Sequence, residues 1–445
     1  MLSTEEAAAV LGVTPRRVQE LASNGTLSGK KTSGVWLISK NSVEERLRST
    51  NRKGGRPLLG HGRNEKRFTL MNRTHEVAAL VYNINQRAFV KIGEADPLRA
   101  PIGLAVKPGL VSLQAFSDWW HARGIPQARR NLQLILDEAG VSIPEELLQR
   151  NLGLSLSDQY WIRPEGSGLA WEDVNFFHNP FEQVSGKTAD HAVLGKSAAA
   201  RPDNTSNGNL EKTWERRGGV PTLLKNGTGF GQEPYNEVVA TALHRRLLNP
   251  GSYVPYSLEG EGAAARCACP VFLTSEEEYV PAAYVEHVLN QESQHSSYDH
   301  YLACCEALGV QNASAALDRM IVCDDILANR DRHWRNFGLV RNVETLECRP
   351  APIFDSGSSL WCNVNMTKLA AGEHSFASKQ FHESPAKQML LVTDLSWLNP
   401  GALEGFVDEA VGILAGNSAL GERLPYIRAA LEWRVNRIIN IAEWD

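Results

Sequence analysis

The chain lacks any long uninterrupted run of apolar residues. Every apolar stretch falls short of the roughly 18 to 20 residues that a membrane-spanning helix needs. The first residues include acidic side chains in a helical pattern, rather than the basic and then hydrophobic pattern of a signal peptide. These absences argue against membrane and secreted classes, and we expect a cytoplasmic protein with no membrane partner.

Cysteine is also scarce. The 445 residues include seven cysteines, an odd number that contains the adjacent pair Cys304 and Cys305. This usage fits reduced thiols better than a disulfide framework. Cys267 and Cys269 have one residue between them and no second ligand pair, so we expect no zinc site there. The rest of the composition is that of a globular protein with room for about two to four domains.

Positive charge is concentrated at the N-terminus. Residues 1–67 contain 13 Lys and Arg against 6 Asp and Glu, a net charge of +7, whereas the remainder of the chain carries −12. A basic segment attached to an acidic body is typical of a module that binds nucleic-acid phosphates.

Residues 1–50 carry a helix-turn-helix pattern. Ser3 and Glu6 predict a capping box at the start of a first helix. Thr14 and Pro15 predict the cap and first position of a second helix. After these helices we expect a two-stranded wing over residues 26–38 and a third helix over residues 42–48.

This pattern resembles the excisionase and MerR-type DNA-binding domains. The resemblance implies that the second helix enters the major groove of DNA while the wing contacts the backbone. The side chains that would face DNA are Arg16, Arg17, Gln19, Lys30 and Lys31.

Residues 51–67 are rich in Gly, Arg and Lys and are predicted to form a basic linker between independently moving modules. Within the linker, residues 53–57 faintly resemble an AT-hook, and a plain tether is the alternative.

The most informative motif lies in the last third of the chain. Asp331 and Asn336 are five residues apart, and Asp355 follows Asp331 by 24 residues. Phosphoryl transfer needs a carboxylate to orient and deprotonate the attacking hydroxyl, an amide oxygen to hold one magnesium ion, and a second carboxylate to bridge metal and phosphates. Asp331 is therefore the predicted catalytic base, with Asn336 and Asp355 as Mg²⁺ ligands. An Asp and an Asn alone could merely cap a turn, but the second Asp favours catalysis.

A kinase also needs a lysine on an upstream strand. Residues 221–225 form a short apolar run that ends in Lys225, and a helical pattern follows. Glu237, or less favourably Glu233, could pair with Lys225 and hold it against the phosphates of ATP. The glycines between residues 227 and 231 come after the lysine, so we expect a strand-to-helix connection there rather than a phosphate loop.

Three further features belong to the predicted site. The polar residues 205–214 fall where a phosphate-covering loop belongs, with Ser206 and Gly208 as candidate nucleotide contacts. His333 orients the catalytic loop or contacts phosphate in the functional interpretation, and satisfies a backbone carbonyl in the structural alternative. Residues 280–284, which include the candidate nucleotide contact Tyr284, form either a hinge whose backbone reads adenine or an edge strand closed by proline. A helix is expected over residues 113–139.

Residues 206–214, 223–225, 232–237 and 329–337, together with Asp355, resemble the HipA-type serine/threonine kinases. The resemblance covers roughly residues 65–440. It implies an α+β, bilobal protein-kinase-like fold, an ATP- and Mg²⁺-dependent activity on a protein substrate, and self-phosphorylation at Thr205 or Ser206. Relatives are often the toxin half of toxin–antitoxin pairs, so a separate antitoxin is a possible partner.

The domains expected from these patterns are a winged helix-turn-helix domain over residues 1–50, the linker over 51–67, a kinase N-lobe with a family-specific subdomain over 68–283, and a mostly helical C-lobe over 284–445. DNA is expected to bind through residues 1–67, which would couple kinase activity to autoregulation of transcription.

Two alternatives remain at this stage. The Asp331-to-Asn336 string also resembles the catalytic loop of phosphoinositide-3-kinase-type enzymes, which would make the substrate a lipid or a small molecule. The chain could instead be a transcription regulator whose kinase body senses nucleotide without transferring phosphate.

Overall fold

The computed structural model divides the chain into two compact units, Met1–Glu65 and Lys66–Asp445. It describes residues 1–11, 13–23, 26–32, 35–43, 64–107, 109–127, 129, 132–181, 202, 210–291, 294–372 and 374–443. Most of the predicted linker and the three loop candidates Thr205, Ser206 and Gly208 lie outside these described residues.

The N-terminal unit contains the predicted pair of helices and the wing. Its elements are α1 (Thr4–Leu11), α2 (Pro15–Ser23), β1 (Gly29–Thr32) and β2 (Val35–Ile38). The capping box is present, because the Ser3 amide donates to Glu6 Oε2 at 2.8 Å and the Glu6 amide donates to Ser3 Oγ at 3.1 Å. A small core of buried residues that includes Val18, Leu21 and Ile38 joins the helices to the wing. Of the predicted third helix, the structure describes only residues up to 43, and residues 40–43 are helical.

The second unit begins with a four-stranded sheet in the order β5-β4-β3-β8, accompanied by a short two-stranded sheet. The strands are β3 (Glu65–Asn72), β4 (His75–Asn83), β5 (Ala88–Ile92), β6 (Ala105–Lys107), β7 (Leu110–Val111) and β8 (Tyr160–Pro164), and the helices are α3 (Leu113–Ala122), α4 (Leu132–Ala139), α5 (Pro144–Arg150) and α6 (Trp171–Val174). Trp119, Trp120 and Trp161 are buried in an aromatic core beneath this sheet. Burial of these large rings stabilises this part of the unit, and Trp119 also lines the cleft that contains Lys225 and Asp355.

An antiparallel sheet in the order β11-β12-β10-β9 follows. Its strands are β9 (Lys212–Arg217), β10 (Val220–Asn226), β11 (Ser257–Glu259) and β12 (Arg266–Pro270), and helix α7 (Gln232–Leu247) comes after β10. Gly231 ends the connection from β10 to α7 with a φ of 68°, and an added Cβ would lie 2.4 Å from the Ala263 carbonyl oxygen. A side chain is therefore excluded at this entry to the helix.

The C-terminal part is mostly helical around a three-stranded sheet in the order β13-β14-β15. Its elements are β13 (Glu277–Pro281), α8 (Ala282–Val285), α9 (Ser297–Ala307), α10 (Ala313–Leu327), β14 (Gly338–Asn342), β15 (Cys348–Pro350), α11 (Met366–Ala370), α12 (Pro385–Met389), α13 (Phe406–Ala415) and α14 (Leu424–Ala442). Helices and antiparallel sheets together make the unit α+β, which confirms the predicted class. Among the described residues, none of the helices combines the length and apolar character needed to cross a membrane.

Candidate active site

A cleft with a volume of about 460 Å³ lies against the β9–β12 sheet and continues over the C-terminal part. This volume is in the usual range for small-molecule sites. The residues that line it include Leu210, Lys212, Trp214, Leu223, Lys225, Cys269, Val271, Phe272, Val280, Tyr284, Asp331, His333, Asn336 and Asp355. The described candidate residues for base, metal and phosphate thus face one cleft, although they come from segments far apart in the chain.

Lys225 is the buried cation of the cleft. It lies near the end of β10, where its ammonium group contacts the carboxylates of Glu237 and Asp355. Burial alone would lower the pKa of Lys225, but the two carboxylates outweigh burial and raise it well above its ordinary value. Glu237 also accepts a hydrogen bond from the Ser356 amide at 2.9 Å, whereas Glu233 accepts one from the Thr228 amide at 3.1 Å. The structure therefore pairs Lys225 with Glu237 rather than with Glu233.

Asp355 occupies a constrained backbone position beside Lys225. Its φ is 57°, in the left-handed region that non-glycine residues seldom adopt, and its amide donates to the Tyr256 hydroxyl at 3.3 Å. Burial tends to raise the pKa of Asp355, but Lys225 and then Lys212 lower it below its ordinary value. The carboxylate is therefore ionised at neutral pH, as a cation ligand must be.

The catalytic-loop residues fold into a tight turn after α10. The carbonyl of Asp331 accepts hydrogen bonds from the His333 amide at 2.8 Å and from Asn336 Nδ2 at 3.0 Å. Because Asn336 uses its amide nitrogen inside the loop, its Oδ1 atom is the part of the side chain suited to a cation. His333 Nδ1 accepts from the Arg335 amide at 3.2 Å, so this ring bonds a backbone amide and not the predicted carbonyl. Burial lowers the pKa of His333, which keeps the ring neutral near pH 7.

Arg332 is fully buried, and its hydrogen bonds hold this loop in place. Its guanidinium binds both carboxylate oxygens of Asp324 at 2.9 and 3.0 Å. It also donates to the Asn336 carbonyl at 3.0 Å, to Ser356 Oγ at 2.9 Å and to the Phe354 carbonyl. One side chain therefore ties the base-bearing loop to the segment that carries Asp355. The signal in the sequence was Asp324, a charge within an apolar helical run, since such a charge requires a partner.

Two lysines of the site have no recognisable motif. Lys212 on β9 lies opposite Lys225 in the strand register, and burial lowers the pKa of Lys212 to about 8. Lys379 Nζ lies 2.5 Å from Asp331 Oδ1. Strand register places Lys212 beside Lys225, and a contact between distant segments places Lys379 beside Asp331, so neither lysine could be selected from its neighbours in sequence.

The chain passes from the β9–β12 sheet to β13 through residues 271–276. The predicted hinge, residues 280–284, instead forms the end of β13 and the start of α8. β13 is an edge strand that ends at Pro281, which matches the alternative of an edge strand closed by proline. Val280, Pro281 and Tyr284 nevertheless line the cleft.

The donor set fits a magnesium nucleotide. A carboxylate from Asp355 and an amide oxygen from Asn336 are oxygen ligands of the kind that Mg²⁺ uses when phosphates complete its coordination. Lys225 and Lys212 supply the positive charge that phosphates require. Asp331 lies on the same cleft wall as Asn336, where it could contact an attacking hydroxyl.

In the N-terminal unit, the candidate DNA contacts are solvent-exposed. The Arg16 side chain is 91% exposed and the Arg17 side chain 57%, and both lie near Glu20, at 3.9 and 2.9 Å. Gln19, Lys30 and Lys31 are also exposed. Residues 1–51 match the family model of the helix-turn-helix domain. The N-terminal unit is a helix-turn-helix domain. This match confirms the prediction made from the capping and wing pattern.

Comparisons of the chain as a whole give structural similarities alone. A search of curated proteins finds no match. The proinflammatory kinase CtkA of Helicobacter pylori is 18% identical with a TM-score of 0.38, over 52% of this chain and 94% of CtkA. HipA from the toxin–antitoxin complex of Shewanella oneidensis MR-1, solved with HipB and operator DNA, is 12% identical with a TM-score of 0.47, over 83% of this chain and 97% of the matched chain.

Proposed function

We propose that this protein is an ATP- and Mg²⁺-dependent serine/threonine protein kinase of HipA type. The observation that supports this most is the convergence of Lys225, Asp331, Asn336 and Asp355 on one cleft. These are the cation, base and metal ligands that phosphoryl transfer requires, and they occur in the order that the chemistry assigns to them.

Each residue has a role that follows from its contacts. Lys225, held by Glu237, binds phosphate oxygens of the nucleotide. Asn336 and Asp355 would hold Mg²⁺, which neutralises charge on the phosphates when bound. Asp331 accepts the proton of the acceptor hydroxyl as its oxygen attacks the γ-phosphorus. Arg332 acts indirectly, since it keeps the Asp331 loop and the Asp355 segment in register.

The proposal extends to self-phosphorylation and to DNA. Thr205 or Ser206, outside the described residues, would receive phosphate in the loop that precedes β9. The helix-turn-helix domain would bind DNA through Arg16, Arg17, Gln19, Lys30 and Lys31, so that one chain both transfers phosphate and regulates transcription. An antitoxin partner, a toxin-like role and a cytoplasmic location belong to the same proposal.

Intact-mass measurement tests the proposal on the purified protein. After incubation with Mg²⁺ and ATP, the wild-type chain should gain phosphate, and Asp331→Asn should not, because the amide cannot accept the hydroxyl proton. Peptide mapping would then decide between Thr205 and Ser206. Equal masses for both proteins, with no ADP formed by either, would count against the proposal.

A parallel reaction with γ-labelled ATP separates the substrate classes. Cell extract is divided into protein, lipid and small-molecule fractions, and each is offered to the enzyme. Label in the protein fraction supports a protein kinase. Label confined to lipids or metabolites would replace it with the alternative kinase class, and ATP-dependent DNA affinity without any transfer would favour a nucleotide-sensing regulator.

A further inference from the structure

Lys379 contacts the proposed base from a segment that precedes α12. Its Nζ lies 2.5 Å from Asp331 Oδ1, and the two side chains are 50% and 37% exposed. An ion pair this exposed contributes little to the stability of a fold, because solvent screens both charges. The contribution of this ion pair to folding is therefore small. Its importance lies in its partner, because Asp331 is the proposed catalytic base.

The backbone around Lys379 is fixed to the interior of the active site. The neighbouring Gln380 donates its side-chain amide to Asp324 Oδ2 at 2.9 Å, and its carbonyl accepts from Trp334 Nε1 at 2.7 Å. Asp324 is the same carboxylate that anchors Arg332. The lysine thus extends from a segment that shares its buried anchor with the catalytic loop, unlike an ordinary surface lysine.

The nearby basic side chains Arg332 and Arg335 make contacts with groups other than the Asp331 carboxylate. Arg332 binds Asp324 and the carbonyls beneath the loop, and Arg335 lies over the Tyr284 ring at 5.8 Å. Burial lowers the pKa of His333, so its ring adds no positive charge near pH 7. Lys225 and Lys212 approach the cleft from the β9–β12 sheet, whereas Lys379 approaches Asp331 from the C-terminal part.

We propose that Lys379 is a positioning residue of the phosphotransfer site, which holds Asp331 Oδ1 and leaves Oδ2 directed at the acceptor hydroxyl. This inference rests on the proposed kinase function. In the reaction, the acceptor oxygen forms a bond to the γ-phosphorus while the bond from phosphorus to the β–γ bridging oxygen breaks. The hydroxyl proton goes to Asp331 and ADP leaves. Lys379 keeps the carboxylate in the orientation that accepts the proton and adds positive charge beside the transferring group.

The test compares Lys379→Ala, Lys379→Arg and the control Lys387→Ala in steady-state phosphotransfer. Lys387 is an exposed lysine on α12, eight residues further along the chain. Loss of orientation should lower kcat for Lys379→Ala about 100-fold. The KM for ATP should stay within about twofold of the wild-type value. The thermal midpoint should stay within a few degrees of wild type. Lys379→Arg should recover most of the rate, and Lys387→Ala should match wild type.

The outcomes separate this inference from the kinase proposal. An active wild type with a slow, stable Lys379→Ala variant and rescue by arginine supports the inference. An active wild type with an equally active or faster Lys379→Ala variant overturns it and leaves the kinase proposal in place, since a faster variant would mean that the lysine blocks the base. A change only in the KM for ATP also overturns it. A wild type that transfers no phosphate to any fraction removes both.

Discussion

Arg332 is the residue on which the geometry of the cleft depends most. It is fully buried and binds Asp324, the Asn336 and Phe354 carbonyls and Ser356. A buried ion pair that loses one partner leaves an uncompensated charge, and this costs more than the intact pair contributes. Arg332 therefore contributes both to folding stability and to the spacing between the proposed base and the proposed metal ligands.

Replacement of Arg332 should destabilise the protein and slow phosphotransfer together. Arg332→Met leaves Asp324 buried without its guanidinium, so the free energy of unfolding should fall by roughly 3 to 5 kcal/mol. Denaturant titration measures this loss. The folded fraction should also transfer phosphate far more slowly than wild type.

Arg341→Met is the matched control for this prediction. Arg341 forms a buried pair with Glu278 at 2.6 Å, outside the catalytic loop. It should lose comparable stability but keep its phosphotransfer rate per folded molecule. Similar rates for the two variants would mean that Arg332 supports the fold and nothing more.

The candidate residues that could be selected from the sequence are those that form a motif with a recognisable order and spacing. Asp331, Asn336 and Asp355 follow one another at a spacing that the chemistry explains, and Lys225 precedes them on a strand. Lys212 and Lys379 carry no such mark, because a lysine is usually a solvated surface charge. Their places in the site come from strand register and from the Gln380 anchor, which only the folded chain reveals.

At the scale of elements, local signals were accurate where capping and turn chemistry decide the structure. The capping box at Ser3 and Glu6 and the connection that ends at Gly231 were both predicted from neighbouring residues. The helix expected over residues 113–139 is wrong, since the structure has α3 ending at Ala122 and α4 beginning at Leu132. Gly124 and Pro126 lie in the gap, and proline disfavours helical backbone in the residue before it.

Helix α2 should determine the affinity of the helix-turn-helix domain for DNA. The double variant Arg16→Ala, Arg17→Ala removes two exposed cations, so binding to a duplex of about 30 base pairs, roughly three helical turns, should weaken by at least about tenfold at low salt. The slope of log affinity against log salt should decrease by up to about two. Fluorescence anisotropy across a salt series measures both quantities.

Glu20→Gln is the informative control for this helix. Glu20 lies 3.9 Å from Arg16 and 2.9 Å from Arg17, so it competes with phosphates for both guanidinium groups. Its neutralisation should strengthen DNA binding. Unchanged affinity in both variants would remove α2 from the proposed interface.

At the scale of the whole molecule, a buried histidine makes stability sensitive to acid. His244 on α7 is 2% exposed, and burial followed by the charge of Arg332 lowers its pKa to about 3. The folded state keeps this ring neutral, whereas the unfolded chain binds a proton below about pH 6.5. Protonation therefore favours unfolding, and the stability present above pH 6.5 is lost as the pH falls toward 3.

This linkage predicts a loss of up to roughly 5 kcal/mol from His244 across that window. Denaturant midpoints measured at several pH values should show a shallower acid dependence for His244→Phe than for wild type. His382, which is exposed, provides the control, and His382→Asn should retain the wild-type dependence. Identical pH dependence in all three proteins would mean that His244 is not kept neutral by the fold.

A separate N-terminal module was predicted from the shift in charge at residue 67, and the structure divides the chain after Glu65. Charge balance and motif order are properties of the amino-acid sequence and can be determined from it alone. The path of the chain from the β9–β12 sheet to β13 cannot be predicted in this way, because it depends on which distant strands pair. Residues 280–284, predicted as a hinge or an edge strand, line the cleft from the edge strand β13, and the connection from β12 to β13 is at residues 271–276.

The most direct test of the central claim is transfer of label from γ-labelled ATP to host proteins in the presence of Mg²⁺, compared between wild type and Asp331→Asn. The proposed function predicts labelled serine or threonine with the wild type, and a reduction of roughly 100- to 10,000-fold with the variant, because the proposed base is lost while the proposed nucleotide site is intact. Equal labelling by both proteins would contradict the assignment of Asp331 as the base. Absence of label in both would contradict the proposal that this cleft is a protein kinase site.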